Sequence, residues 1–521
     1  MGASILALIG VLVTRILGPS DLWDKAQPKT VSYTTDIIVH GGDRWILPLE
    51  RDTNAATKPP LYNWIAVPMV HLLGFSSEIA HKFPSVLSVC VCWLIVVRIG
   101  REQFGDKIGW MAGLCFVTNS TIFKLGYLAR PDMLLVLWVL LAWFASTRLL
   151  LETQPGSVVN ERRVTLDRII FWTAIALAGL TKGPILFIPL LYAVIASRMI
   201  GGSFRAFNVM RWWWGGPFVI IVCGAWVYGV WRINPEHLFG VLWKGELVDR
   251  FTGDKFDIND YGTWGWFKTL PFMSVYFLAR FLPWSPFAIF SMMRVWSRHS
   301  EIQRPIGHGD AESRETKEQW RWLFAASILI VLTIIIFSLS MGKRADYLAI
   351  CYPQAAILAA WGIQTGWTFK SRVAIGIAPT LASLTFAIMV WVNLDQSKAP
   401  SPDFARGITR FIDECTAEIK TDPLPIPCCW MGTTQLQAML GLSQGPELIK
   451  AGDLIRAGQS FRVFLAWRAL KPKEYMDRIH QAYPEVKVEE VVRSEDLPFA
   501  KGWVGRISMY QITPLAPEHA P

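Results

Sequence analysis

The sequence predicts an all-α polytopic membrane domain of about eleven transmembrane helices, with interfacial helices in its first external loop, followed by a small soluble α/β domain. Three observations carry that reading. Of the 521 residues, 52% are hydrophobic and 18% charged, and the mean hydropathy is +0.32, too apolar for a water-soluble chain of this length. Long uncharged runs recur up to residue 394, most of them near the ~20 residues a helix needs to cross a bilayer. From residue 395 the composition becomes ordinary and the apolar residues fall in short strand-like runs.

The runs place spans at roughly 3–18, 83–99, 107–124, 132–150, 168–180, 184–200, 213–231, 270–292, 320–340, 345–364 and 373–394. The first is short and lacks an A-x-A cleavage site, so it reads as an anchor and not as a removable signal peptide. Basic residues then mark alternate loops. Arg98, Arg101 and Lys107 follow the second span, Arg148, Arg162, Arg163 and Arg168 the fourth, and Arg198, Arg205 and Arg211 the sixth. Arg294, Arg298, Arg304, Arg314 and Lys317 follow the eighth, and Lys370 and Arg372 the tenth. By the positive-inside rule those loops are cytoplasmic, with the N-terminus inside and the tail outside. The net charge of +10 is then mainly a topology signal and asks for no nucleic-acid partner.

The opposite face collects the unusual charges: Asp21, Asp24, Lys58, Arg130, Asp132, Lys182, Glu246, Arg250, Lys343 and Arg344. A charge at the bilayer centre costs ~2.5–3.5 kcal/mol on insertion scales, so such a gathering at one lip implies water, a partner or a substrate there. The first external loop, residues 19–82, alternates aromatic, apolar and charged residues as interfacial helices do. Trp23, Tyr33, Trp45, Tyr62 and Trp64 read as rings anchored in the headgroup belt. A transporter would place its polar residues at broken helices near the midplane, often in two related halves, and the chain has no internal repeat.

Seven motifs in order resemble a known family. They are Ser20-Asp21-Leu22-Trp23-Asp24, Thr57-Lys58-Pro59-Pro60-Leu61-Tyr62-Asn63-Trp64, and Leu128-Ala129-Arg130-Pro131-Asp132-Met133. Gly179-Leu180-Thr181-Lys182-Gly183-Pro184, Glu246 with Arg250-Phe251, Phe281-Leu282-Pro283-Trp284, and Phe337-Ser338-Leu339-Ser340 through Lys343 and Tyr347 complete the set. Over roughly residues 1–365 the chain resembles the membrane glycosyltransferases of the C-type fold, close to the 4-amino-4-deoxy-L-arabinose transferases of lipid A and the protein O-mannosyltransferases.

That resemblance implies a polyprenyl-phosphate sugar donor, whose tail lies among membrane lipids, and a lipid, glycan or protein acceptor. It implies that Lys58, Arg130, Lys182, Arg250, Lys343, Arg344 and Tyr347 face the donor phosphate, a task that suits partly shielded cations. Asp132 would hold Lys58 in place or, with Glu246, help bind a divalent metal ion, the one cofactor the resemblance brings in. Asp21 or Asp24 would take the acceptor proton or bind a metal that activates the acceptor. The chain departs from the arabinose transferases at Thr57, where they carry glutamate, at Gly245, where they carry histidine, and in the wide spacing of its two acids. Two readings of other classes remain beside the transferase: a transporter or flippase of lipid-linked sugars, and a non-catalytic scaffold using the tail to bind a partner.

The tail predicts strands at 461–467, 486–492 and 507–513 and helices at 403–420 and 472–482. Of eight cysteines, Cys90, Cys92, Cys115, Cys223 and Cys351 fall in or beside spans as packing residues. Cys415, Cys428 and Cys429 lie in an oxidising compartment by this topology, which makes Cys415 a candidate for one disulfide. No zinc-ligand spacing occurs and the histidines do not cluster.

Overall fold

The computed structural model describes residues 1–18, 27–50, 54–152, 160–248, 265–300, 311–340, 342–365, 380, 384–389, 402–425, 428–429, 448–466, 477, 481, 483–494, 497–499 and 503–515. Among them, five helical stretches are long and apolar enough to cross a membrane: Glu78–Phe104, Asp132–Glu152, Glu161–Met199, Trp212–Ile233 and Thr316–Leu339. The apolar helices Gly2–Leu17 and Leu61–Leu73 are shorter. The chain is a multi-pass membrane protein.

In chain order the helices are α1 (Gly2–Leu17), α2 (Gln27–His40), α3 (Leu61–Leu73), α4 (Glu78–Phe104), α5 (Asp106–Val117) and α6 (Ser120–Leu125). Next come α7 (Asp132–Glu152), α8 (Glu161–Lys182), α9 (Phe187–Met199) and α10 (Trp212–Ile233). A π-helix, His237–Val248, follows α10. Then come α11 (Phe272–Arg280), α12 (Ser285–Ser297), α13 (Ala311–Leu339) and α14 (Tyr352–Thr365). The helix α7, fed by the run Met133–Leu151, is buried on nearly every side. It packs on α8, α4 and α9 as the central post of the bundle, which is what a helix apolar all round its circumference requires.

Two expected spans are not single helices. The 270–292 run breaks at Phe281–Trp284, between α11 and α12. Pro283 has no N–H to continue the ladder, Phe281 stacks on Tyr352 at 5.4 Å, and buried Trp284 donates its indole N–H to Thr118 Oγ1 at 3.0 Å. The 107–124 run splits into α5 and α6 because Asn119 caps α6, accepting from the amides of Thr121 (3.0 Å) and Ile122 (2.9 Å). The 345–364 run opens as a 3-10 turn, Ala345–Cys351, before α14. Most of the 373–394 run and of the 472–482 helix lies outside the described residues.

Between α1 and α4 lie the helices α2 and α3, and between those two the paired strands β1 (Leu49–Glu50) and β2 (Asn54–Ala55), which periodicity did not announce. Buried Asp36 ties these pieces together. It accepts from the Leu49 amide at 2.7 Å, lies 2.9 Å from His40 Nδ1 and pairs with Arg44 at 3.5 Å. Burial pushes its carboxyl above the usual range, and the Leu49 amide and Arg44 pull against that.

The tail forms a four-stranded sheet of order β3-β4-β8-β5, built from Cys428–Cys429, Phe461–Ala466, Ile507–Pro514 and Val486–Arg493. β3 and β4 are parallel; β4 and β8 pair antiparallel with Val463 opposite Tyr510, and β5 pairs β8 with Val488 opposite Ile512. A separate hairpin joins β6 (Leu497–Phe499) and β7 (Trp503–Gly505). The helix α15 (Pro402–Thr421) sets Phe411 edge-on to Phe464, and α16 (Leu448–Arg456) follows it. Cys415 on α15 is a buried free thiol, which corrects the disulfide expectation: it packs inside the fold beside Arg462 and not against another cysteine of the described residues.

Close approach of α4 and α5 depends on glycine. A Cβ on Gly109 would sit 2.3 Å from Arg101 Cγ and 2.7 Å from the Val97 carbonyl oxygen. We expect Gly109→Ala to lower the thermal midpoint in detergent by the equivalent of about 1–3 kcal/mol. Gly216→Ala, whose Cβ would meet nothing within 4 Å, should leave the midpoint unchanged or raise it.

Candidate active site

The site forms where a tight turn enters α7. The Arg130 amide bonds back to the Leu128 carbonyl at 2.8 Å, and the Pro131 carbonyl starts the helix by accepting from Leu135 at 3.0 Å. Pro131 suits this place because its fixed φ precedes a helix and no N–H is needed there. Three side chains from other elements hold the turn. Gln27 of α2 accepts the Ala129 amide at 2.8 Å. Tyr62 of α3 donates toward the carbonyls of Leu128 and His81, each 3.1 Å away. Ser85 of α4 contacts the carbonyls of Leu128 (2.6 Å) and Arg130 (3.2 Å).

Asp132 is the first residue of α7, where the helix dipole favours an anion. Lys182 is the last residue of α8, where the dipole favours a cation, and Gly183 follows with φ +53° and ψ −109°, a backbone conformation open to glycine. The two meet with Lys182 Nζ 2.6 Å from Asp132 Oδ1. Arg130 Nε lies 3.0 Å from Asp132 Oδ2, an ion pair without hydrogen-bond alignment. Arg130 also reaches Asp346 at 3.4 Å. Lys182 Nζ stands 5.2 Å from the centre of the Tyr347 ring, which in turn packs on Phe337 at 4.9 Å. Lys58, half-buried after the hairpin, acts on Asp132 through its charge. Asp132, Lys182, Asp346, Tyr347, Phe337 and neighbouring apolar residues enclose a cavity of about 10 Å³, room for about one water.

The structure thus brings together Asp132, Arg130, Lys182 and Tyr347, with Lys58 in electrostatic reach. Lys343 instead donates to the carbonyls of Ser338 (2.6 Å) and Ser340 (2.8 Å) at the C-terminal end of α13, and burial pulls its ammonium below the usual lysine range. Arg344 is exposed beside it. Glu246 sits on the π-helix with its side chain outside the described residues, and Asp21, Asp24 and Arg250 lie outside them altogether. No group of three metal-ligating side chains occurs among the described residues.

A family model for dolichyl-phosphate-mannose-protein mannosyltransferase matches residues 57–228. The chain is 22% identical over 409 residues to an undecaprenyl phosphate-alpha-4-amino-4-deoxy-L-arabinose arabinosyl transferase of Proteus mirabilis, covering 75% of this chain and 66% of that protein. Its fold matches the crystal structure of ArnT from Cupriavidus metallidurans bound to undecaprenyl phosphate, with a TM-score of 0.67 over 97% of both chains at 14% identity. It also matches the archaeal oligosaccharyltransferase AglB from Archaeoglobus fulgidus, solved with an inhibitory peptide and a dolichol-phosphate, at a TM-score of 0.50 and 11% identity over 86% of this chain and 64% of that one. The chain has the fold of ArnT and is similar in sequence to these membrane glycosyltransferases. It spans about two thirds of the length of the curated relatives it matches.

Sequence reasoning missed Asp346, Gln27 and Ser85, and it misplaced Tyr62. An acid lodged in the basic run Lys343–Tyr347 was the available signal for Asp346; Gln27 and Ser85 carry no signal in one sequence. Tyr62 is 2% exposed, so it does not anchor in headgroups as expected: its phenol points into the protein, toward the carbonyls of Leu128 and His81. Tyr62→Phe removes one buried hydrogen bond to the turn, whose Leu128 carbonyl keeps the Arg130 amide and Ser85 as donors, a loss of about 0.5–1.5 kcal/mol. We expect amide exchange at Ala129 and Arg130 to rise about two- to tenfold while that of α7 stays slow. Unchanged exchange would mean that Gln27 and Ser85 hold the turn unaided.

Proposed function

We propose that this chain transfers a sugar from a polyprenyl-phosphate donor to a hydroxyl or phosphate acceptor at the extracytoplasmic face of the membrane. The observation that carries the reading is the buried ion chain Lys182–Asp132–Arg130–Asp346, set at helix ends beside Tyr347. Cations spaced by two acids form a receptor for a phosphate oxyanion, held where water is scarce and their charge is felt. Lys58, Arg130, Lys182 and Tyr347 contact the phosphate in this reading, with Arg250, Lys343 and Arg344 approaching from the neighbouring segments. The names of the relatives, which act on or bind undecaprenyl phosphate and dolichol-phosphate, support the donor class.

The acceptor oxygen attacks the anomeric carbon, the bond from that carbon to the phosphate oxygen breaks, and the phosphate leaves with the electron pair. Asp21 or Asp24 takes the proton when the acceptor is a hydroxyl. Asp132 does not fit a divalent ion, because an ammonium and a guanidinium already face its oxygens and would repel a further cation. Its role is to fix the cations. The carboxylates left for a metal are Asp21, Asp24 and Glu246. The positive-inside pattern supports eleven spans with the N-terminus cytoplasmic and residues 395–521 forming an external α/β domain.

Incubation of purified protein with a panel of polyprenyl-phosphate sugars tests this reading: one donor should lose its sugar in the presence of an acceptor extract. Movement of that lipid across liposomes without cleavage would establish the flippase instead. Lys58→Ala and Arg250→Ala should each weaken donor binding about tenfold or more while leaving the protein folded, and unchanged affinity in both would remove the phosphate site.

One of Asp21→Asn and Asp24→Asn should lose about 10²- to 10⁴-fold in turnover and keep donor binding, since the amide has the shape but not the basicity. Turnover within about threefold of the parent in the double variant, well short of the loss a positioned base entails, would move the reacting carboxylate elsewhere.

A further inference from the structure

A second arrangement of charge lies at the other end of α8. Lys182 is fourteen residues beyond Arg168 on the same helix, about 21 Å at 1.5 Å per residue, so this arrangement belongs to the opposite membrane face. The segment Phe204–Met210 that leads into α10 is pinned to α8 by two side chains: Arg168 Nε donates to the Val209 carbonyl at 2.8 Å, and buried Trp172 Nε1 to the Met210 carbonyl at 2.7 Å. Gly215 of α10 lies directly on the Trp172 ring, leaving no room for a Cβ. Because Val209 and Met210 are pinned there, Arg211, the next residue, stands at the same end of α8 as Arg168, where the like charges act on each other and Glu161 offsets Arg168.

Arg211 stands in the left-handed region, φ 50° and ψ 55°, the one positive-φ residue other than glycine among the described residues. Such a conformation costs roughly 1 kcal/mol or more for a side-chain-bearing residue and persists where the surroundings impose it. Immediately after it, Trp212, Trp213 and Trp214 are 50%, 53% and 71% exposed, and Ile220 and Ile221 continue the exposed apolar face of α10. Two arginines brought to one end of α8 and α10, beside exposed indoles of which Trp213 and Trp214 continue into the Ile220 and Ile221 face, match one ligand chemistry: a phosphate carrying hydrocarbon chains, with the anion at the arginines and the chains along that face.

We propose that Arg168, Arg211 and Trp212–Trp214 form a binding site for an anionic phospholipid, on the membrane face opposite the ion chain at Asp132. Charge complementarity selects this occupant over a zwitterionic lipid, whose own ammonium the two arginines would repel. The site is independent of the donor pocket and of the transferase reading.

Native mass spectrometry of the detergent-purified protein, titrated with phosphatidylglycerol or phosphatidylcholine, tests the assignment. The parent should retain phosphatidylglycerol preferentially. Arg211→Gly, which removes the charge and accepts the left-handed backbone without strain, should weaken that lipid about fivefold. Its thermal midpoint without lipid should equal or exceed that of the parent. Arg98→Gln, an exposed arginine paired with Glu102 at 2.7 Å, should leave the preference intact. Should Arg211→Gly fail to fold, Arg168→Gln must show the same loss. A parent without preference, an Arg211→Gly protein that keeps it, or stabilisation by inorganic phosphate equal to that by phosphatidylglycerol would each overturn the proposal.

Discussion

Backbone that leaves the helix inside a membrane domain has no water to satisfy it, and the turn from Leu128 to Pro131 is built around that constraint. Irregular backbone is tolerated at membrane depth only where protein groups or a water-lined cavity supply its hydrogen bonds. Here Gln27, Tyr62 and Ser85 supply them from three separate helices. The requirement ties α2, α3 and α4 to the turn, since each supplies one of its partners. It also explains why a turn can present Arg130 and Asp132 with fixed geometry: all three donors or acceptors must be in place before the turn is affordable at all.

Charge follows from that geometry. Taking an ion out of water costs several kcal/mol, and a buried pair is stable only when its partners are close and aligned. Asp132 meets this condition by standing at a helix N-terminus and receiving Lys182 from a helix C-terminus, so both dipoles favour the pair. Arg130 and Asp346 extend the chain of alternating signs and join the 3-10 segment Ala345–Cys351 to the turn. In the reading proposed above, a phosphate would take the place of a carboxylate as partner to Arg130 or Lys182, so that no buried cation is left bare. The cavity beside them holds about 10 Å³, room for about one water.

Hydropathy made the five long apolar helical stretches legible because a bilayer imposes a length and an apolar composition that any window can count. Strand alternation likewise revealed Phe461–Ala466, Val486–Arg493 and Ile507–Pro514 to within about a residue or two. The break at Phe281–Trp284 was not legible as a break, since its aromatic residues keep the window apolar while Pro283 interrupts the ladder. At the site, the residues at the lip were legible because an ionisable side chain beside a span is costly and conspicuous. Gln27 and Ser85 were not, because an uncharged polar residue has no preferred company until the fold supplies a carbonyl or amide. Tyr62 was misread for a related reason: its ring suits a headgroup belt and a buried turn equally, and only the partner of the hydroxyl decides between them. Lys343 reads from the sequence as a cation facing the donor, whereas its contacts are the end of α13, a distinction that motif order does not hold.

The remaining question is what fixes the height of Lys182 against Asp132, since helices packed by apolar side chains alone can slide. The antiparallel pair α7 and α8 carries opposite charges at both ends. Asp132 meets Lys182 at one end, and Arg148 meets Asp167 at the other, with Arg148 Nε 2.6 Å from the carboxylate. The spacings agree: sixteen residues separate Asp132 from Arg148 and fifteen separate Asp167 from Lys182, about 24 Å and 22 Å along the two axes. A slip by one residue would move the partners about 1.5 Å apart at both ends together and expose two buried acids to unpaired desolvation. The pair at Arg148 and Asp167 therefore acts on the site from the far side of the membrane, by setting the register in which Lys182 can reach Asp132.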